Sequence, residues 1–122
     1  MSTISTHILD IARGRPAAGI TVILLSGDRE FARARTDNNG RITTWTTGPA
    51  TTAPNTTAPG ATALAAGPGA YTLRFETKPY FETQALATLY PFIEIHFEIG
   101  DDTHYHIPLL LSPWGYSTYR GS

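Results

Sequence analysis

Residues 93–99 read Ile-Glu-Ile-His-Phe-Glu-Ile, an unbroken alternation of apolar and polar side chains. A period of two puts the apolar set on one face of an extended strand and the polar set on the other, which no helix can do. The chain must therefore build at least one half-buried sheet, and other segments repeat the theme. Residues 71–76 (Tyr-Thr-Leu-Arg-Phe-Glu) alternate likewise, and residues 20–25 (Ile-Thr-Val-Ile-Leu-Leu) form an apolar, β-branch-rich run after the turn residues Gly14 and Pro16. Asp37-Asn38-Asn39-Gly40 has the chemistry of a hairpin turn between residues 31–36 and 41–45, which puts Arg41 at the first residue of the returning strand.

Towards the C-terminus, Tyr105, Ile107, Leu109 and Leu111 share one strand face, and His106, Pro108, Leu110 and Ser112 share the other. Pro108 has no N–H to give a ladder, so a free or interrupted edge is predicted there. A final strand runs on from Tyr116. Residues 80–89 follow Pro79 and are rich in helix formers, which predicts one short helix. Residues 46–68 are dominated by Thr, Ala, Pro and Gly, without a charge or an aromatic ring, and are predicted to be a long surface loop inserted in a single domain spanning 1–122. With 122 residues, 41% hydrophobic and 16% charged, one core can form without disulfides. The fold class expected is all-β, an antiparallel β-sandwich of about seven to eight strands with one short helix.

The chain has no cysteine, which rules out thiolate nucleophiles, zinc knuckles and iron–sulfur sites. A net charge of -1 gives no electrostatic reason to expect nucleic acid or an anionic membrane as partner. No apolar run approaches membrane-spanning length and the first residues lack a secretory pattern, so a cytoplasmic location is expected. The final Arg120-Gly121-Ser122 is not a Ser-Lys-Leu address, which makes a peroxisome the weaker expectation.

Four histidines are present: His7, His96, His104 and His106. His96 alternates with Glu94 and Glu98, and His104 adjoins Asp101-Asp102-Thr103, so both are expected to be solvated. His104 and His106 point the same way on a strand, but no third ligand at characteristic spacing accompanies them, and no metal site is expected. Neither a Gly-x-Ser-x-Gly nucleophile motif nor a phosphate-binding glycine loop occurs. The residues alone lead to a β-sandwich with a few suggestive histidines, which a generic interaction module would also satisfy.

The two ends of the chain carry more. His7-Ile8-Leu9-Asp10-Ile11-Ala12-Arg13-Gly14-Arg15-Pro16-Ala17-Ala18-Gly19 resembles the N-terminal signature of transthyretin-like 5-hydroxyisourate hydrolases. The stretch from His106-Ile107-Pro108-Leu109-Leu110-Leu111-Ser112-Pro113 through Trp114-Gly115-Tyr116-Ser117-Thr118 to Tyr119-Arg120-Gly121-Ser122 resembles their C-terminal signature. Asp37-Asn38-Asn39-Gly40-Arg41 and Tyr80-Phe81 match in order between them; only the 46–68 loop departs, being longer and richer in Thr, Ala and Pro.

The resemblance implies a sandwich of two four-stranded sheets with a short helix, dimerised through edge strands and paired into a homotetramer with active sites in the channel between dimers. It implies no cofactor and no metal. It further implies hydrolysis of 5-hydroxyisourate, an intermediate of urate breakdown, to 2-oxo-4-hydroxy-4-carboxy-5-ureidoimidazoline by water activated at a histidine. His7, Arg41 and His106 are the implied catalytic set, with His7 or His106 as base. Substrate contacts are assigned to His7, Arg41, Tyr119, Ser117 and Ser122. The alternative is a non-enzymatic carrier of the same fold. By the resemblance, carriers have lysine in place of His7, an acidic residue in place of Arg41 and threonine in place of His106, and lack the terminal tetrapeptide.

Overall fold

A computed structural model describes residues 2–42, 44–47 and 64–121. In chain order the strands are β1 (Ser2–Ser5), β2 (Ile8–Asp10), β3 (Arg15–Pro16), β4 (Thr21–Ser26), β5 (Arg29–Arg35), β6 (Thr46–Thr47), β7 (Leu64–Ala66) and β8 (Gly69–Phe75). After helix α1 (Thr77–Glu82) come β9 (Ile93–Ile99), β10 (His104–His106), β11 (Leu109–Ser112) and β12 (Gly115–Thr118). One layer is the sheet β6-β5-β4-β8-β9, antiparallel throughout.

The other layer consists of two short sheets, β10-β1-β7 and β12-β11-β2-β3. These are consecutive halves of one, because β1 runs into β2 and β10 into β11, and the ladder bridges both breaks. Ile107 N donates to Ser5 O and Leu109 N to His7 O, each at 2.9 Å. Joined this way, the layer is four strands deep with β3 appended, and the opposite layer is four strands with the two-residue β6 appended. Two pairings depart from the antiparallel expectation: β1 with β10 and β2 with β11 are parallel.

A single apolar core lies between the layers. Ile4, Ile8, Leu109 and Leu111 come from one, Val22, Leu24, Leu73, Phe75 and Ile95 from the other. The period-two reading of 93–99 agrees with the strand found, apart from Phe97, which is only half-buried because β9 is an edge. The predicted break at Pro108 is real: it divides β10 from β11.

Three expectations are corrected. The helix begins at Thr77 rather than after Pro79, since a proline within the first turn gives up an N–H that would have no helical partner anyway. It ends at Glu82, so of the helix formers at 84–87 Gln84 and Ala85 lie in a turn, with a φ of 57° at Ala85, and Leu86 and Ala87 in irregular chain. Among the described residues of 41–45 none belongs to a strand, and Arg41 makes a bridge to His7. The 46–68 segment carries a strand at each end, and Leu64 and Ala66 of β7 are fully buried, so its last part belongs to the core. Its middle, 48–63, lies outside the described residues.

Candidate active site

The hairpin turn before Arg41 is set by its own residues. Asp37 Oδ1 accepts from the backbone N–H of Asn39 at 2.8 Å and of Arg41 at 3.0 Å, the pattern of an Asx turn. Gly40 has a φ of 73°, and a β-carbon there would come within 2.4 Å of Ile8 O. Only glycine lets the turn close on β2, where Ile8 N donates to Gly40 O at 2.8 Å. This contact delivers Arg41 to His7.

At the turn His7 Nε2 lies 2.9 Å from Asn39 O. A carbonyl can only accept, so Nε2 carries the proton and the neutral ring keeps its lone pair on Nδ1. Burial and the Arg41 guanidinium lower the His7 pKa, partly offset by the Asn39 carbonyl and by Asp37. His106, at the end of β10, responds in the same direction: burial, Arg41, His104 and His7, in that order, lower its pKa. One guanidinium thus acts on two imidazoles contributed by opposite ends of the chain.

The tail closes over His106. Gly121 N donates to His106 O at 2.8 Å, and a β-carbon at 121 would sit 2.5 Å from Cδ2 of the ring. Arg120 lays its guanidinium 4.2 Å over Tyr105 and donates to Thr103 Oγ1 at 2.9 Å, which anchors the tail. Ser117 pairs with Leu110, which pairs with Leu9, so the three form a row on the outward face of the layer. Tyr119 is exposed and lines a cleft of about 580 Å³ with Ile95, Phe97 and Tyr105. Ser122 lies outside the described residues.

Sequence reasoning missed Ser5. Its Oγ is 2.7 Å from His106 Nδ1 and 2.8 Å from His104 Nε2, and His104 Nδ1 in turn meets Thr3 Oγ1. His104 is exposed, as expected, but it is the first residue of β10 and has both ring nitrogens hydrogen-bonded. The signal was available in the polar alternation Thr3, Ser5 and His104, His106, once the two strands were known to lie side by side. His96 behaves as read: it bonds Thr72 Oγ1 at 2.9 Å and faces Glu94. Among the described residues, no group of three or more His, Asp or Glu side chains is placed to hold a metal ion.

A two-layer β-sandwich with two imidazoles and a guanidinium gathered on the outward side of one layer is the class that fold and face define. The family model described as HIUase/Transthyretin matches residues 4–121, and the chain belongs to that family. It is 37% identical over 126 residues to the "Probable 5-hydroxyisourate hydrolase" of Schizosaccharomyces pombe, covering 98% of this chain and 90% of that one. The solved 5-hydroxyisourate hydrolase of Klebsiella pneumoniae superposes with a TM-score of 0.78 at 37% identity, covering 100% of this chain and 94% of that one. Sea bream transthyretin in complex with thyroxine superposes at 0.74 with 24% identity, covering 97% and 93%, a likeness of fold alone.

Proposed function

We propose that this protein is a 5-hydroxyisourate hydrolase that opens the substrate ring with water activated by a neutral histidine. The observation that carries the reading is the bridge that sets Arg41 beside His7, from where its charge, with burial, lowers the pKa of both His7 and His106. Arg41 holds the flat, electron-rich substrate and stabilises negative charge on the attacked carbonyl. The hydrogen bond to Asn39 leaves Nδ1 of His7 to take a proton from water, so His7 is assigned as base. Water adds to the ring carbonyl, the adjacent C–N bond breaks, and Nε2 of His106 protonates the leaving nitrogen while Nδ1 of the same ring takes up a proton. His7 returns the proton it took to solvent as product leaves. The product is 2-oxo-4-hydroxy-4-carboxy-5-ureidoimidazoline. Ser117, Tyr119 and Ser122 are assigned to substrate contact.

The working form in this reading is a homotetramer in the cytoplasm, its sites closed by a second dimer. Two features support it. Among the described residues β9 pairs only with β8 and β12 only with β11, leaving each layer an edge for pairing with another copy. The outward row next to the site, Leu9 and Leu110, is apolar and half-buried, as a dimer–dimer contact requires. No helix among the described residues is long and apolar enough to cross a membrane.

The deciding experiment is an absorbance trace of freshly generated 5-hydroxyisourate with and without the purified chain. Faster decay is expected with it, and an unchanged trace would leave the carrier reading standing. Light scattering on the same sample should give four times the chain mass.

A further inference from the structure

Thr3, Ser5, His104 and His106 occupy one face of the parallel pair β1–β10, because their registers are Thr3 opposite His104 and Ser5 opposite His106. Ile4 and Tyr105, between them, face the core. The four polar side chains touch in series from Thr3 Oγ1 to His104 Nδ1, His104 Nε2 to Ser5 Oγ, and Ser5 Oγ to His106 Nδ1. The series runs from half-buried Thr3 through exposed His104 to half-buried His106.

Each hydroxyl has one proton, and each neutral imidazole has one N–H and one lone pair. The series therefore has two polarities. In one, Thr3 O–H donates to His104 Nδ1, His104 Nε2–H to Ser5, and Ser5 O–H to His106 Nδ1, which leaves His106 with its proton on Nε2. In the other every bond is reversed and His106 Nε2 carries the lone pair.

We propose that Ser5 and His104 are positioning residues that, with Thr3, form a proton relay between solvent and His106 Nδ1, so that Nε2 can give up a proton without the ring ever becoming charged. As the substrate C–N bond breaks, the Nε2 proton goes to the leaving nitrogen, the Ser5 proton to Nδ1, the His104 Nε2 proton to Ser5, and the Thr3 proton to His104 Nδ1. Thr3 recovers one from water. After product leaves, the series runs back as solvent reprotonates Nε2, Nδ1 returning its proton through Ser5 and His104 to Thr3, which releases one to water. The groups acting on His106 agree with a need for such a device. Arg41, His104 and His7 all oppose an imidazolium there, and no carboxylate figures among the causes of its lowered pKa.

The inference rests on the hydrolase reading, and its test keeps the two apart. Ser5→Ala breaks the series at its middle, Ser5→Thr restores the hydroxyl, and His104→Phe removes the outer ring. Ser5→Ala should lower kcat on the order of 10-fold at pH 8, as loss of a partner that orients a working histidine does, with KM changed less than about twofold. The deficit should shrink only well below about pH 6.5, once the lowered pKa of His106 is crossed and a charged ring donates directly. Ser5→Thr should recover most of the loss, and His104→Phe should show the same pH trend. In mixtures of H2O and D2O the wild type should give a curved rate dependence, for several protons in flight, and Ser5→Ala a straight one. Wild-type kcat and pH profile in Ser5→Ala, or an equal loss at every pH that Ser5→Thr does not recover, would overturn the relay. If the wild type does not turn over 5-hydroxyisourate, the hydrolase reading fails instead. The relay is then judged on the 15N shifts of the His106 ring, which must differ between wild type and Ser5→Ala for it to stand.

Discussion

Two histidines in this molecule make nearly the same local contact. His96 Nδ1 meets Thr72 Oγ1 across the β8–β9 pair at 2.9 Å, and His106 Nδ1 meets Ser5 Oγ across β1–β10 at 2.7 Å. Their surroundings part company. His96 is 73% exposed and sits 3.7 Å from the Glu94 carboxylate, on an outer face where Arg74 also pairs with Glu76 at 2.9 Å. His106 is half-buried, faces a guanidinium and a second histidine, and is closed in by the tail at Gly121. A hydroxyl bond to imidazole is thus common to both; burial and an adjacent cation mark off the site that can keep a neutral ring ready for proton transfer.

Substitution at the two places gives the largest contrast. His7→Ala or His106→Ala should lower kcat/KM for 5-hydroxyisourate by about 10²- to 10⁴-fold, the usual contribution of one positioned proton-transfer group. His96→Ala should leave it within about twofold. Comparable losses at 96 and 106 would erase the distinction.

Arg41→Gln should follow, with a loss on the order of 10²-fold for a missing charge-stabilising donor. It also sharpens the electrostatic half of the contrast. Both site histidines sit below the ordinary value, so their neutral forms persist as pH falls past about 6.5 and the acid limb of activity lies below that point. Removing the guanidinium leaves burial alone to depress His7, and burial with the neighbouring His104 and His7 to depress His106. The acid limb should then move to higher pH, and NMR titration of the two rings should show the same rise.

Gly121→Ala tests the closure by the tail. The added methyl meets the His106 ring at 2.5 Å, so either ring or tail must shift. A fall in kcat of about 10-fold is expected, comparable to other losses of ring orientation, with a small change in Tm because no core strand is involved. At the small end, dialysis against a strong chelator should leave turnover unchanged, since the chemistry assigned to His7, Arg41 and His106 needs no Lewis acid. Abolition by chelator and recovery with zinc would require a different mechanism.

Legibility in the sequence followed the range of the interaction. Residues 93–99 could be read directly because period-two alternation is a local consequence of one buried face, and Pro108 announced its break through its missing N–H. The helix was misplaced because 84–87 have helical propensity but no buried stripe to hold them, whereas Phe81 packs in the core. Leu64 and Ala66 were hidden in a low-complexity stretch whose composition spoke for a loop, while their burial depends on pairing with β1. Gathering His7, Arg41 and His106 came from resemblance of the chain ends; spacing alone does not bring residues 7 and 106 together. Ser5 was invisible for the same reason, since its partners are set by a parallel register that no local pattern reports.

That parallel register also orders events in time. Ser5 and His106 are 101 positions apart, and β1 and β2 find their parallel partners only in β10 and β11. While the chain is being synthesised, the first strands emerge early and must wait for almost the whole polypeptide to follow. The antiparallel layer from β4 to β9 can assemble in the meantime from neighbours in sequence. The paired histidines are therefore a feature that only the finished molecule has, and a chain released before residue 104 lacks half of the site and the partner strand that holds the other half.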